Sequence, residues 1–478
     1  MNRRHLLQLA SAVAAVAPGA RAGNEIEVEV RFDQPLQVWD GFGVNYVETA
    51  QTRDYEKDPQ EYGGFSTLDE TKRREIMELT FGPEGLKPAL LKMFLDCWHQ
   101  PSPKGAFDHK KTTRWMRYYA TEGLKLQRAR GASLDIITTL YGPPAWMTRQ
   151  KFVRGRDLDP AHKDDLCLYL ADWVRYLRSE ENLPVNWVGL HNEGEDFRRW
   201  PTDGSWAGYA DHDYNMYWHS GQVVDLMKRL RPVLDRAGLR EVGITPGETS
   251  AWDRFVNWGY AWAIAEDPEA LKVLGLITSH GFGIGPSVTS MGNDLLRLKR
   301  PELHSWTTSM TWGRMDIRFL EGIRQQIYVA KVNGVIPWAT IQTDTWVGGD
   351  PNPGTAFRVD RKGGYTVEPG YWYFKHVCRN GQSGMRVAPV FSHDPEVQGI
   401  AFASNGTAHP DAVTILNLGA GRKYLQVLAK GSSAARYSVF STVGGKNYES
   451  LGEITTRKGM LEISMVPEEA VSFVARRN

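Results

Sequence analysis

The side chains with the clearest chemical potential are an amide and a carboxylic acid that follow an apolar run. Residues 187–190 form this run, and Asn192 and Glu193 come directly after His191. An amide can hold a sugar hydroxyl, and a carboxylic acid can protonate a glycosidic oxygen. Because an Asn-Glu pair is also common where a solvated loop begins, the position of this pair in the fold decides its interpretation.

Polar and aromatic side chains follow several other apolar runs along the chain. The sequence contains 17 Trp and 19 Tyr residues, and flat aromatic rings can stack on the apolar C–H face of a sugar ring. Polar and aromatic groups together are what a carbohydrate site needs. The residues that we expect to bind substrate are Trp98, Trp146, Asn192, His280, Trp306 and Trp346.

The elements that must position these groups are short apolar strands that alternate with longer helical stretches between about residues 40 and 380. This alternation is typical of repeated βα units around a parallel sheet. Eight units predict a (β/α)₈ TIM barrel, whose active site forms at the C-terminal ends of the strands. The predicted strands are residues 38–46, 89–95, 134–140, 186–191, 241–245, 273–280, 302–308 and 334–342.

A small β-sandwich is predicted at the C-terminal end of the chain. After about residue 384 the helical period disappears, and strand-like runs separated by turns follow. Residues 26–32 alternate between apolar and polar side chains and need sheet partners, which this sandwich can supply. We therefore predict four segments, which are a leader at 1–22, a sandwich strand within 23–38, a barrel at 39–383 and a sandwich at 384–478.

The first residues have the pattern of an export signal. Arg3 and Arg4 precede an apolar run at residues 6–16, and Ala20-Arg21-Ala22 forms a small-residue cleavage site. The paired arginines also resemble a twin-arginine signal. We therefore expect export to the periplasm or the extracellular space.

Charge and motif content exclude several functional classes. The formal net charge is +1 with charges scattered along the chain, which argues against a nucleic acid or an anionic membrane as partner. The apolar run in the leader is too short to span a bilayer. The three cysteines are widely spaced, and no phosphate loop or zinc motif occurs, so we expect no metal and no cofactor. The sequence does not indicate an oligomeric state.

The order of the motifs resembles a clan A retaining glycoside hydrolase, closest to family 30, the group of glucosylceramidases, xylanases and β-1,6-glycanases. The resemblance covers residue 30 to the C-terminus and implies a barrel with a sandwich built from both chain ends. It implies Glu193 as the general acid/base and a β-linked oligosaccharide or polysaccharide as substrate. The matching features are residues 40–43, residues 142–147, Asn192-Glu193, His280, Trp306, residues 371–373 and residues 384–387.

The sequence departs from the family at the expected nucleophile. The resemblance places a second glutamate at the end of the seventh barrel strand, but Ser309 stands at that position. A serine hydroxyl of ordinary pKa is a poor nucleophile towards an anomeric carbon. Glu302 is no substitute, because it lies at the N-terminal end of the predicted strand.

Three hypotheses account for this departure. Another carboxylate replaces the nucleophile, for which Glu248, Asp344 and Asp316 are the candidates, and a more distant one would favour inversion. Alternatively, the chain is a non-hydrolytic carbohydrate-binding protein on a degenerate glycosidase barrel. In the third, the alignment of the strand is shifted, although no Asp or Glu lies between Glu302 and Asp316. Our prediction is an exported glycoside hydrolase with Glu193 as acid/base, with the binding protein as the alternative.

Overall fold

The computed structural model describes residues 25–49, 55–57, 61–205, 215–283, 285–312, 316–343, 354–457 and 459–476. The predicted export signal at 1–22 and the candidate residues Asp344 and Trp346 lie outside these ranges. The chain divides into two compact units. The larger unit is Gln37–Met385, and the smaller one combines the residues up to Leu36 with those from Arg386 onwards.

The larger unit is a (β/α)₈ barrel, as the sequence predicts. Its eight strands lie side by side in one sheet, and every neighbouring pair is parallel. The sheet closes between the fifth and sixth strands through the isolated bridges Ile244–Leu274 and Thr249–Ser279. In chain order the barrel strands are Gly41–Asn45, Leu90–Leu95, Asp135–Leu140, Val185–Gly189, Gly243–Thr245, Ile277–Ser279, Ser305–Thr311 and Gly334–Trp338.

Amphipathic helices connect the strands and pack with their apolar stripes towards the sheet. The helix Ile317–Tyr328 shows the pattern, since Leu320, Ile323 and Ile327 at helical spacing are all buried. The α-helices of this unit are Glu70–Phe81, Arg114–Ala129, Lys163–Ser179, Ser220–Arg236, Trp252–Asn257, Tyr260–Glu266, Pro268–Val273, Met291–Lys299, Ile317–Tyr328 and Pro369–Asn380. None of the described helices has the length and apolar character that crossing a membrane requires.

Small residues let bulky ones fill the barrel interior. A Cβ added to Gly43 would lie 2.6 Å from Ile336 Cγ1 and 2.8 Å from Leu90 Cβ, so only glycine fits there. Leu90, Ile336 and Trp306 belong to one buried cluster. The early Asp-Gly-Phe-Gly motif is thus explained by close packing inside the barrel.

One predicted strand is two strands in the structure. The segment 334–342 forms Gly334–Trp338 in the barrel and then Ile341–Thr343, which starts a separate three-stranded sheet. The other strands of that sheet are Phe357–Val359 and Tyr365–Val367. The apolar run is continuous in the sequence, so its pattern does not show this break.

The smaller unit is a β-sandwich that includes the N-terminal strand, as predicted. Ile26–Arg31 pairs in parallel with Lys423–Lys430 and antiparallel with Val390–Ser392. Its Val28 and Val30 are fully buried in the core of the unit. The remaining strands are Met460–Met465 in the same four-stranded sheet and Arg386–Ala388, Val397–Ala403, Ala412–Asn417, Arg436–Val443, Lys446–Thr455 and Ala470–Ala475 in a six-stranded sheet.

Candidate active site

The backbone after the fourth barrel strand places Glu193 beside the segment that follows the fifth. Glu193 N donates to Glu248 O at 2.8 Å, and Glu248 N donates to His191 O at 2.9 Å. Glu193 itself has a φ of 46°, which is uncommon for a residue with a side chain. This paired backbone fixes the positions of the two glutamates at the C-terminal face of the barrel.

The Glu193 carboxyl group has a partner on each oxygen. Oε1 lies 2.9 Å from His280 Nδ1, and Oε2 accepts a hydrogen bond from Arg199 Nη2 at 3.0 Å. Arg199 also donates to the Glu193 backbone carbonyl at 3.0 Å. The side chain is 12% exposed. It is therefore firmly oriented and still reachable from outside.

His280 connects Glu193 to Glu248. Its Nε2 lies 3.2 Å from Glu248 Oε2, so both ring nitrogens face carboxylate oxygens, an arrangement that the doubly protonated ring satisfies. Burial and the charge of Lys92 act to lower the pKa of His280. The hydrogen bonds to the two glutamates outweigh these effects and raise its pKa above the usual value.

Glu248 is fully buried and has partners on both oxygens. Oε2 accepts from Lys92 Nζ at 2.7 Å, and Oε1 accepts from Thr139 Oγ1 at 3.1 Å. Burial acts to raise the pKa of this carboxyl group, but the charge of Lys92 and the hydrogen bond to His280 lower it to about 2. Glu248 is therefore an ionised, enclosed carboxylate.

Ser309 lies at the other end of this chain of contacts. Lys92 Nζ donates to Ser309 Oγ at 3.0 Å, and Ser309 Oγ donates to the backbone oxygen of Thr308 at 2.6 Å. The hydroxyl thus has partners for both its lone pair and its proton. The contacts Glu193–His280–Glu248–Lys92–Ser309 run without a gap across the site, and we call these five residues the polar chain.

Lys92 is the residue that the sequence reasoning missed. It lies in the middle of the second barrel strand, with apolar neighbours on both sides, and its side chain is fully buried. A lysine within such an apolar strand was the sequence feature that could have identified it as a site residue. Its ammonium group also lies 4.9 Å from the centre of the Phe94 ring.

An aromatic group that the sequence reasoning also missed lies next to Lys92. The rings of Phe94 and Tyr141 are stacked with centres 4.7 Å apart, and the half-buried Trp338 meets the Phe94 ring edge-on at 5.6 Å. The ring centre of Tyr62 also lies 5.6 Å from that of Trp338. Trp338 ends the eighth barrel strand, which is the position where a substrate-facing ring is expected.

Two of the predicted substrate-binding tryptophans make their observed contacts with residues outside the polar chain. Trp306 is fully buried in the barrel core, with its ring 4.6 Å from that of Trp187 and its Nε1 donating to Asp40 at 2.7 Å, so the prediction that it lines a groove is wrong. Trp146 donates from Nε1 to Gln100 O and lines an outer cavity of about 450 Å³.

The other predicted residues are placed as follows. Trp98 is half-buried, and its backbone N–H donates to Asp96 at 2.8 Å. Asn192 is buried beside Glu248, with which its backbone forms a bridge. Asp316 caps the helix Ile317–Tyr328 by accepting from Arg318 N, so it is a structural residue rather than a second catalytic carboxylate. In the described ranges, no group of three or more His, Cys, Asp or Glu residues is arranged to hold a metal ion.

Comparison with known proteins finds similar solved structures but no match to a family model or a curated protein. No family model matches the chain, and no curated protein matches it. Among solved structures, a GH30 endoxylanase from Clostridium papyrosolvens C71 aligns with a TM-score of 0.67 at 16% identity, covering 94% of this chain and 100% of that one. The endo-β-1,6-glucanase BT3312 aligns with a TM-score of 0.68 at 14% identity, covering 94% of each chain.

A third structure, that of a conserved exported protein from Bacteroides fragilis, aligns with a TM-score of 0.72 at 12% identity, covering 94% of this chain and 100% of that one. Similarity at this level of identity establishes the fold. The chain has the fold of the family 30 glycoside hydrolases, which confirms the fold that the motif resemblance implied.

Proposed function

We propose that this protein is an exported glycoside hydrolase that acts on a β-linked oligosaccharide or polysaccharide, with Glu193 as general acid/base. The observation that carries the proposal is the Glu193 carboxyl group, which is oriented by His280 and Arg199 and yet 12% exposed at the C-terminal face of the barrel. A carboxyl group held in this way can deliver a proton to a glycosidic oxygen in a fixed direction. Asn192, Trp98 and Trp338 are the proposed sugar contacts.

The second catalytic group is not Ser309 in this proposal. Its hydroxyl proton is directed at the Thr308 carbonyl, and its lone pair accepts from the lysine that is paired with Glu248, so neither described partner is a base that could activate it. Glu248 cannot reach an anomeric carbon because its carboxylate is enclosed. We assign Glu248 the role of a positioning residue that holds Lys92 and His280.

Asp344 is the remaining candidate among the three carboxylates. In the sequence it stands six positions after Trp338, the last residue of the eighth barrel strand, and it lies outside the described residues. As a general base, Asp344 would activate a water for direct attack and give a product with inverted configuration. The first-formed anomer, followed by proton NMR, tests this step, and Asp344→Asn should abolish it.

A non-hydrolytic carbohydrate-binding protein is the second candidate function. The observation that favours it is the hydrogen bond from Lys92 to Ser309. Ser309 occupies the position at which the resemblance to retaining hydrolases places the attacking carboxylate. Glycan binding without turnover by the wild-type protein is the outcome that would select this alternative.

The deciding experiment compares three proteins on a glycan array and on a panel of aryl β-glycosides. Wild-type turnover that Glu193→Ala abolishes supports the hydrolase. Glu302→Ala is the matched control, because Glu302 is 65% exposed in its side chain and pairs only with its neighbour Arg300 among the contacts observed. Turnover that survives Glu193→Ala unchanged rules out the assigned acid/base. Export is tested separately by sequencing the mature N-terminus, which we expect at Gly23.

A further inference from the structure

Three aromatic rings outside the polar chain lie together beside the turn that follows Glu193. Phe197 is the central ring, and its centre lies 5.9 Å from that of Tyr217 and 6.3 Å from that of Trp258. We call these three residues the aromatic platform. Phe197 is 53% exposed, whereas Tyr217 and Trp258 are half-buried. The platform therefore presents an apolar surface to the solvent.

The two neighbouring rings support Phe197 without covering it. Tyr217 meets it at an interplanar angle of 68° and Trp258 at 53°, so neither ring lies flat against it. The charges at the edge of the platform neutralise each other, because Arg198 donates two hydrogen bonds of 2.8 Å to Asp196, and its guanidinium group lies 5.6 Å from the centre of the Trp258 ring. An exposed ring beside paired charges favours a neutral ligand with an apolar face, and the C–H face of a sugar is such a ligand.

The central ring is connected directly to the proposed acid. Phe197 begins the short helix Phe197–Arg199, and Arg199 donates to both the carboxyl group and the backbone carbonyl of Glu193. Arg199 contacts Oε2 of this carboxyl group, whereas His280 of the polar chain contacts Oε1. The platform and the polar chain thus adjoin different oxygens of the same carboxyl group.

The two supporting rings are fixed to the residues that directly follow Glu193. Trp218, which comes immediately after the tyrosine of the platform, donates its backbone N–H to Gly194 O at 2.7 Å. Arg254 lies 5.9 Å from the centre of the Trp258 ring and donates to Glu195 Oε1 at 3.1 Å. All three rings are therefore positioned by the same loop that positions the acid.

We propose that the aromatic platform binds a sugar unit on the leaving-group side of the bond that Glu193 protonates, with the Phe197 ring stacked on the C–H face of that sugar. This inference rests on the proposed function, because it takes Glu193 as the acid. A general acid protonates the oxygen that the leaving group carries away, so the leaving sugar lies against Glu193 and next to the platform. The enzyme then prefers a leaving group that is itself a sugar chain.

The binding step is tested by calorimetry with a panel of β-linked tetrasaccharides, in proteins that also carry Glu193→Gln and so do not turn them over. We expect affinity to fall at least about fivefold with Phe197→Ala and to be kept with Phe197→Trp, which retains a flat ring. Phe391→Ala is the matched control, because Phe391 is 52% exposed on a strand of the smaller unit. Equal affinities of the Phe197→Ala and Phe391→Ala proteins overturn the platform as a sugar-binding surface.

The side of the bond is tested by comparing tetrasaccharides with β-glycosyl fluorides, whose leaving group is a single atom that cannot reach the platform. We expect Phe197→Ala to lower kcat/KM on the tetrasaccharides at least about fivefold, through KM, and to leave the fluorides unaffected. An equal loss on both substrates overturns the leaving-group assignment. The pH profile of kcat should stay unchanged, because a shifted profile would mean that Phe197 acts through Arg199 on the acid and not on the sugar.

The two proposals fail in different ways. Hydrolysis of the tetrasaccharides that Phe197→Ala leaves unchanged removes the inference and leaves the proposed function standing. Tetrasaccharide binding without turnover by the wild type removes the hydrolase and the leaving-group assignment, while calorimetry still decides whether the platform contacts glycan. If the wild type neither binds nor hydrolyses any tetrasaccharide, both proposals fail.

Discussion

The two ends of the polar chain differ in what their side chains leave available for chemistry. At one end, Glu193 has both oxygens oriented and is still partly exposed. At the other end, Ser309 and Lys92 are enclosed, and the serine hydroxyl already has partners for its proton and its lone pair. The first end can donate a proton, while the second can only hold charge. If Glu193 is the acid, as we propose, the site holds it through direct contacts that reach the end where Ser309 stands.

Glu248 explains why the two ends remain coupled. Its carboxylate contacts the lysine of one end and the histidine of the other, and its pKa of about 2 keeps it ionised. Any change that alters this carboxylate should therefore affect both ends. The predictions that follow separate the two ends, beginning with the largest effect.

Removing the acid should have the largest effect. On aryl β-glycosides with poor leaving groups, Glu193→Ala should lower turnover by about 10²- to 10⁴-fold, which is the usual contribution of general acid catalysis. On dinitrophenyl glycosides the loss should be much smaller, because this leaving group departs without a proton. Steady-state kinetics on both substrate classes measures the difference. An equal loss on both classes would mean that Glu193 does not act as the acid.

Breaking the enclosed ion pair should cost stability. Lys92→Met leaves Glu248 charged and buried with only His280 and Thr139 as its side-chain partners among the contacts described, a situation that typically costs about 3–5 kcal/mol. The free energy of unfolding from urea titration measures it. Lys331→Met is the matched control, because Lys331 and its partner Asp294 are 50% and 43% exposed and such pairs contribute about 1 kcal/mol or less. Equal losses in the two variants would contradict the role assigned to the enclosed pair.

His280 should make stability depend on pH in a specific direction. Its pKa is raised in the folded protein above 6.5, so the stabilisation from its charged form is fully present below about pH 6.5 and is lost as the pH rises through the folded value. The difference in unfolding free energy between wild type and His280→Asn should therefore shrink from pH 6 to pH 9. A difference that stays constant over this range would show that the ring is not charged between Glu193 and Glu248.

The sequence was sufficient to predict the barrel, the sandwich and the position of Glu193, because strand periodicity and strand ends are local features. The place of Lys92 inside an apolar strand marked it as unusual, but its contact with Glu248 could not be predicted, since the two residues are 156 positions apart and only the closed barrel brings them together. Trp306 was misplaced because the predicted bounds of its strand were wrong. The strand runs Ser305–Thr311 and not 302–308, so Trp306 lies near its N-terminal end, away from the C-terminal ends where the site forms.

The last prediction compares Trp306, which is buried in the barrel core, with Trp338, which we assign to the sugar-binding surface. It concerns the smallest expected change in stability. Trp306→Phe removes the hydrogen bond from the indole to Asp40, whose carboxylate keeps its contact with His304 at 2.8 Å, so we expect a loss of about 1 kcal/mol. Glycan affinity should stay unchanged in this variant, because the ring is fully buried. Trp338→Phe, at a half-buried ring beside Phe94, should instead weaken glycan binding while changing stability little. Urea unfolding together with glycan titration of both variants gives the comparison. If Trp306→Phe were the variant that loses affinity, the substrate would have to reach the core layer of the barrel, and the assignment of Trp338 to the sugar-binding surface would be wrong.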